Sequence, residues 1–478
     1  MRSFPALHFP SVTPSRIWAF FFVFAAATAL LLQWVVLPHL LPGLHAGNGL
    51  LVGGDWVGFH AMAVDHAAEI RAQGWSAWEL RPWNQAPSGI AAALYVLTVP
   101  HPWVLVPLNA AVHATTGVVL VRIMQSFVPD FRHALVCVLP FMLFPSALTW
   151  YAQIHKDGYY YAGIFLSLYG WILLARLETW KGRAGEPLRG LLWIFVGCLL
   201  IWVVRPYGVN LMQGIGVIFV LMLVPLFIFR GLRRQLPASR VVVSVLIVLA
   251  LPVTLGVYKD MGVYESRGIH ENKGLHESRG LHESRGMDGA ATVLTYSARH
   301  LGLGGDFSEV EQIRWQRTAW LPASLDEIFF TLSMIRSGYA QSKGASMVDA
   351  DVLFRSAVDF IPYLPRALQI GFAAPFPTQW LGQGSSEANT MMRRISALEM
   401  IVVYCVLLFL PYALWLWRRR IETWLTFSFC TILLLIYTYI MPNVGSLYRT
   451  RYGYLMMLVA LGIAGAISAW RDLHSKTT

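Results

Sequence analysis

The chain has 478 residues, of which 56% are hydrophobic and only 13% charged, with a formal net charge of +11. A soluble domain carries roughly 25% charged residues, so the composition rules out a surface solvated mainly by water. The four cysteines (Cys137, Cys198, Cys405 and Cys430) all fall in apolar runs without CxxC spacing, which points to neither a disulfide framework nor a zinc site.

At the N-terminus, Arg2 and Arg16 precede an apolar run with no small-residue cleavage site, so an uncleaved first span is expected. Crossing a bilayer takes roughly 20 apolar residues. Ten such spans are expected near 17–38, 103–122, 133–152, 158–176, 189–204, 209–230, 241–258, 397–417, 423–441 and 452–470. With the N-terminus in the cytoplasm, the segments on that side hold seventeen lysines and arginines. The short segments on the other side hold six: Arg71, Arg81, Lys156, Arg205, Arg449 and Arg451. The remainder lie in one long loop, to which the positive-inside rule does not apply. Both termini are therefore expected in the cytoplasm. The basic excess belongs to cytoplasmic loops and implies no nucleic-acid partner.

The expected fold class is an all-α polytopic membrane protein of about ten transmembrane helices, with external amphipathic helices and one long external loop. Three regions follow: an N-terminal bundle over 1–258, which includes the first external loop (39–102); a long external segment over 259–396; and C-terminal helices over 397–478.

In the first external loop, GGDWVGFH places Asp55 on a glycine-rich turn, and Phe59 to Gln73 has apolar residues at helical spacing. Tryptophans at 56, 75, 78, 83 and 103 suit a membrane interface. The apolar piece 88–99 is too short to span; if it crossed, the charge bias of every later loop would invert, so an external amphipathic or re-entrant helix is expected. Between the third and fourth spans stands QIHKDG, with His155, Lys156 and Asp157, followed by Tyr159, Tyr160 and Tyr161. These tyrosines suit either an interfacial belt or sugar stacking. After the fifth span comes RPYGVN, with Arg205.

The segment 259–396 is too long for a plain connection and should contain structure of its own. Its start carries a hexad, [IL]-H-E-[SN]-[RK]-G, in three full copies over 269–286, preceded by YESRG at 264–268. Three copies are too few to stack into a solenoid, so a flexible insertion is expected in preference to a metal-binding repeat. The stretch FIPYLPRALQIGFAAPFPTQW (360–380) is apolar and proline-rich and suits a surface that meets lipid. Glu399 follows at the outer end of the eighth span, and NVGSLYRTRYGY, with Arg449 and Arg451, opens the last.

Asp55 and Asp157 fit two roles: carboxylates at helix starts, favoured there by the helix dipole, or a base for a hydroxyl nucleophile and ligands for a divalent cation. Arg205, Arg449 and Arg451 are either arginines snorkelling to headgroups or forks for a lipid phosphate, which Lys156 and His155 would join. Glu399 is either structural or a third acidic site residue.

The first-loop aspartate in GGDWVGFH, the acid in QIHKDG, the RPY arginine and N-x-G-x-x-x-R-x-R (Asn443 to Arg451) together resemble the GT-C superfamily of integral-membrane glycosyltransferases. Within it, the chain is similar to bacterial polyprenyl-phosphate-sugar-dependent enzymes such as protein mannosyltransferases and the lipid A aminoarabinose transferase. The resemblance covers nearly the whole chain in architecture, through short motifs. Asp55 stands alone where the family has an acidic pair, and 259–396 matches no known soluble domain. The resemblance implies that Asp55 is the catalytic acid/base or metal-orienting carboxylate, Asp157 the second acid, and the arginines the holders of the carrier phosphate. It implies a polyprenyl-phosphate sugar as donor, a glycan, lipid or protein as acceptor, membrane lipid as surroundings, and a site on the outer face of the cytoplasmic membrane. A divalent cation is a candidate cofactor. A polymerase or ligase of surface polysaccharide using polyprenyl-pyrophosphate donors remains an alternative, followed by a transporter or flippase and by a structural assembly protein.

Overall fold

The computed structural model describes residues 13–176, 185–233, 242, 244–251, 282–284, 293–295, 315–341, 346–384 and 386–475. The chain forms two compact units. Unit 1 holds residues 1–266, 405–429 and 456–478; unit 2 holds 267–404 and 430–455. The boundary expected at 258/259 falls outside the described residues. Of the C-terminal helices, 430–455 belongs to unit 2 with most of the long segment, and 405–429 and 456–478 belong to unit 1.

Unit 1 begins with α1 (Pro14–Leu31), which opens on a proline at its first turn and is prolonged by wider turns over Leu32–Leu40. It continues with α2 (Asp55–Gln73), α3 (Ala86–Leu97), α4 (Val106–Met124), α5 (Phe131–Leu143), α6 (Leu148–Tyr151), α7 (Asp157–Ala175), α8 (Gly185–Val204) and α9 (Tyr207–Leu232). Further along the chain come α10 (Ala323–Gln341), α11 (Phe360–Ala373), α12 (Glu387–Leu407), α13 (Leu410–Leu416), α14 (Ile421–Ile440) and α15 (Val444–Ser475).

Among the described residues, eight helices are long and apolar enough to cross a membrane, and a ninth span is made if the bent pair is counted as one. All nine fall on expected spans. Half of the tenth, 241–258, lies outside the described residues. The span expected at 133–152 is bent by 60° between Leu143 and Pro145, where proline removes a backbone donor. The segment 88–99 forms α3, only 12 residues long, paired with α2 through His60 Nδ1 to the Tyr95 hydroxyl (2.8 Å) and Arg71 Nη2 to the Tyr95 carbonyl (2.5 Å).

The closest helix pair in unit 1 is α7 with α8, and small residues explain it. A Cβ added at Gly163 would stand 2.7 Å from the Gly197 carbonyl oxygen, and one added at Gly170 would stand 2.5 Å from that of Gly190. Glycine on both faces lets the backbones meet, as membrane helices commonly do. The end of unit 1 near Ala175 is basic: Arg176 pairs with Glu422 at 2.8 Å, Arg420 Nη1 donates to the Ser126 carbonyl at 2.5 Å, and Arg471 meets His133. Asp157 and Arg205 lie at the opposite end of α7 and α8.

Unit 2 has its own core of Trp315, Phe330, Met334, Phe354, Phe360 and Tyr439, so the long segment does contain packed structure. Through it runs Arg336, whose guanidinium donates to the carbonyls of Val352 (2.8 Å), Tyr439 (3.0 Å) and Asp349 (2.5 Å). Asp349 takes a two-pronged bond from Arg366 (2.8 and 3.0 Å), which holds its carboxyl below the usual carboxylate range. Of the hexads, only His282–Ser284 is described, as a strand antiparallel to Val293–Thr295; the rest lie outside the described residues.

Candidate functional site

The site of unit 1 is built on the broken stretch between α6 and α7. Backbone leaving a helix within an apolar bundle must find partners, and here side chains supply them. Gln33 Nε2 donates to the Ala152 carbonyl (2.6 Å) and Asn109 Nδ2 to that of Gln153 (3.0 Å). The Gln153 side chain accepts from the Leu51 amide (3.0 Å) and donates to the Gly49 carbonyl (3.2 Å), which ties the first loop to this stretch. Tyr159 donates to Asn109 Oδ1 at 2.9 Å.

On that base, Asp157 opens α7 in its first turn, where the helix dipole favours a carboxylate. Its side chain is fully buried: Oδ1 accepts from Arg205 Nη2, and Oδ2 stands 3.2 Å from His155 Nδ1. The Asp157 amide also donates to His155 Nδ1, at 3.0 Å. One ring nitrogen thus meets a donor and a carboxylate, so the charge on His155 decides which contact is favourable. Arg205 closes α8 and sits 4.9 Å from the ring centroid of Tyr160. Arg81, which sequence reasoning placed only in the charge count, donates to the Trp202 (2.6 Å) and Val203 (3.0 Å) carbonyls and stacks on Trp202 at 4.2 Å. It caps the C-terminal turn of α8 immediately before Arg205. Nothing in RPW, the tripeptide that Arg81 begins, points to such a role, because its partners lie more than a hundred residues away.

Asp55 begins α2 and is exposed, in the first helical turn, with Gly54 as the preceding cap residue. The GGDW glycines are needed here: Gly53 has φ +83°, and a Cβ on Gly54 would overlap the Trp56 ring, whose Nε1 donates to the Leu51 carbonyl at 2.5 Å. Trp56 and Phe59 pack against the His155 ring, with centroids 6.0 and 6.4 Å apart, and Lys156 Nζ lies 5.7 Å from the Phe59 ring centroid. Positions 55 and 59 share a helix face. Asp55 therefore stands on the face of α2 that meets 155–156, on the same end of unit 1 as Asp157. Nearby, burial and His101 hold His60 below the usual imidazole range.

Unit 1 thus brings together His155, Lys156, Asp157 and Arg205, with Lys156 half-buried and the other three buried, and packs against 155–156 the helix that the exposed Asp55 begins. Tyr159, Tyr160 and Tyr161 are all buried and pack within the bundle, so neither the belt nor the sugar-stacking role applies to them.

The remaining candidates belong to unit 2. Asn443 is the cap of α15, its Oδ1 accepting from the Gly445 amide at 3.0 Å. Glu399 is buried and accepts from the Tyr448 hydroxyl at 2.5 Å. Arg449 is half-buried. Arg451 is fully buried and donates to the carbonyls of Ile370 (2.7 Å) and Gly371.

A divalent cation does not suit this donor set. The Asp157 oxygens face a guanidinium and a histidine, and among the described residues no three His, Cys, Asp or Glu side chains group as ligands. No family model, curated protein or solved structure matches the chain.

Proposed function

We propose that the chain is a membrane glycosyltransferase of GT-C type that moves a sugar from a polyprenyl-phosphate carrier to a glycan, lipid or protein acceptor. The support is an exposed carboxylate, Asp55, at the start of the helix whose Trp56 and Phe59 pack on 155–156, and a half-buried Lys156 adjoining the buried Asp157–Arg205–His155 network. The reaction needs a base beside a cation, at the depth where a carrier's headgroup leaves the bilayer.

In this scheme the acceptor oxygen bonds to the anomeric carbon from the face opposite the phosphate, and its proton passes to the Asp55 carboxylate. The bond from the anomeric carbon to the phosphate oxygen breaks with its electron pair on that oxygen. Lys156 stabilises the departing lipid phosphate. Asp157, Arg205 and His155 are positioning residues: buried and committed to each other, they fix the backbone that carries Lys156. The basic end of unit 1, at Arg176, Arg420 and Arg471, then faces the cytoplasm, and the Asp55 end the opposite side.

Asp55→Asn should lower transfer from a polyprenyl-phosphate sugar at least about 100-fold, the scale of a positioned base, with folded yield unchanged. Full transfer by that variant would remove Asp55 from the mechanism. If loss of the arginines abolishes activity while Asp55→Asn does not, the polymerase or ligase scheme takes its place.

A further inference from the structure

The apolar, proline-rich α11 lies wholly in unit 2, where two spanning helices fix its height and a third packs beside it. At its start, the Phe360 carbonyl accepts from the Tyr439 hydroxyl (2.7 Å), one residue from the end of α14. At its other end, a Cβ on Gly371 would overlap Leu434, six residues before the end of α14. The Ile370 and Gly371 carbonyls accept from Arg451, seven residues into α15. The Ala373 carbonyl accepts from Tyr404 of α12 (2.5 Å). At 1.5 Å per residue, Leu434 and Arg451 lie about 9–11 Å from the ends of α14 and α15, which places the C-terminal end of α11 below the rim of those two helices. The helix therefore starts at the rim and descends.

The polar accounting agrees with that depth. In an apolar layer the orphan carbonyls at a helix end find no water and must be capped by protein. Arg451 takes Ile370 and Gly371; Tyr404 takes Ala373; Trp380 Nε1, stacked over Tyr404, takes the Pro375 carbonyl at 2.8 Å. The side of α11 turned away from these contacts carries Ile361 (63% exposed) and Leu364 (39%), and the spanning helix beside it exposes Leu398, Ile401 and Val402.

We infer that 360–384 is a re-entrant segment, a helix that dips into one leaflet and returns, whose Ile361–Leu364 face contacts lipid acyl chains. Arg451 is its C-terminal cap. This stands apart from any transferase activity.

The test uses the full chain with Cys405→Ala, since the other three cysteines are buried. Ile361→Cys, Leu364→Cys and, as a water-facing control in the same unit, Asp351→Cys are each spin-labelled. The labelled proteins are reconstituted in phosphatidylethanolamine/phosphatidylglycerol vesicles, and only samples that melt as the parent does are measured. Collision with oxygen should exceed collision with a water-soluble nickel chelate at 361 and 364, more so at 364, and the order should reverse at 351. Nickel dominance at 361 and 364 would make the face water-exposed and overturn the inference. Poor collision with both reagents would show that protein, such as a second copy, covers the face, and would overturn it equally. Positions 361 and 364 report separately, so one failing to fold leaves the other to decide.

Discussion

Asp157 and Arg205 show how a buried charge pair acts at the scale of single residues. Both are almost completely out of solvent. Removing one partner leaves the other charged and uncompensated, which costs about 3–5 kcal/mol, whereas replacing both with apolar groups of similar volume is far milder. Asp157→Ala and Arg205→Met should therefore each lower the detergent melting temperature strongly, and the double variant should recover much of the loss. Additive losses would show that the two do not act as a pair. Arg451 admits a similar separation of roles. As a cap for carbonyls, Arg451→Met should reduce stability and folded yield through unsatisfied acceptors at about 1–3 kcal/mol each. Intact folding with lost substrate affinity would instead return it to phosphate binding.

Among the elements, the α7–α8 contact is the least tolerant of change. Gly197 faces Gly163 with no room for a methyl group. Gly197→Ala should cost about 1–3 kcal/mol through overpacking, and Gly197→Leu should leave little folded protein on size-exclusion analysis. A monodisperse, stable Gly197→Leu variant would show that the helices separate easily. The spans themselves were legible in the sequence because lipid demands long apolar runs with few charges. The 60° break before Pro145 was not, since hydropathy counts residues and does not register a missing N–H. Asp55 and Asp157 could be found because an acid beside an apolar run is conspicuous. Burial was not readable: nothing in YYY separates tyrosines under Arg205 and Trp150 from tyrosines at an interface. Nor does RTR show that Arg451 points at carbonyls eighty residues away.

For the whole molecule, the positive-inside count gives an expected polarity; in unit 1 one end of α7 carries the Arg176–Glu422 pair and the other the Asp157–Arg205 pair. The division of the C-terminal helices between two units was hidden from the sequence, because hydropathy marks where a helix is apolar and not what packs on it. The most direct measurement is incubation of the purified chain in vesicles with a labelled polyprenyl-phosphate sugar and candidate acceptors. The proposed function predicts label on an acceptor with inverted anomeric configuration, release of free polyprenyl phosphate, and loss of both in Asp55→Asn. Carrier that stays intact across donors and acceptors, or product formed equally well by Asp55→Asn, would contradict it.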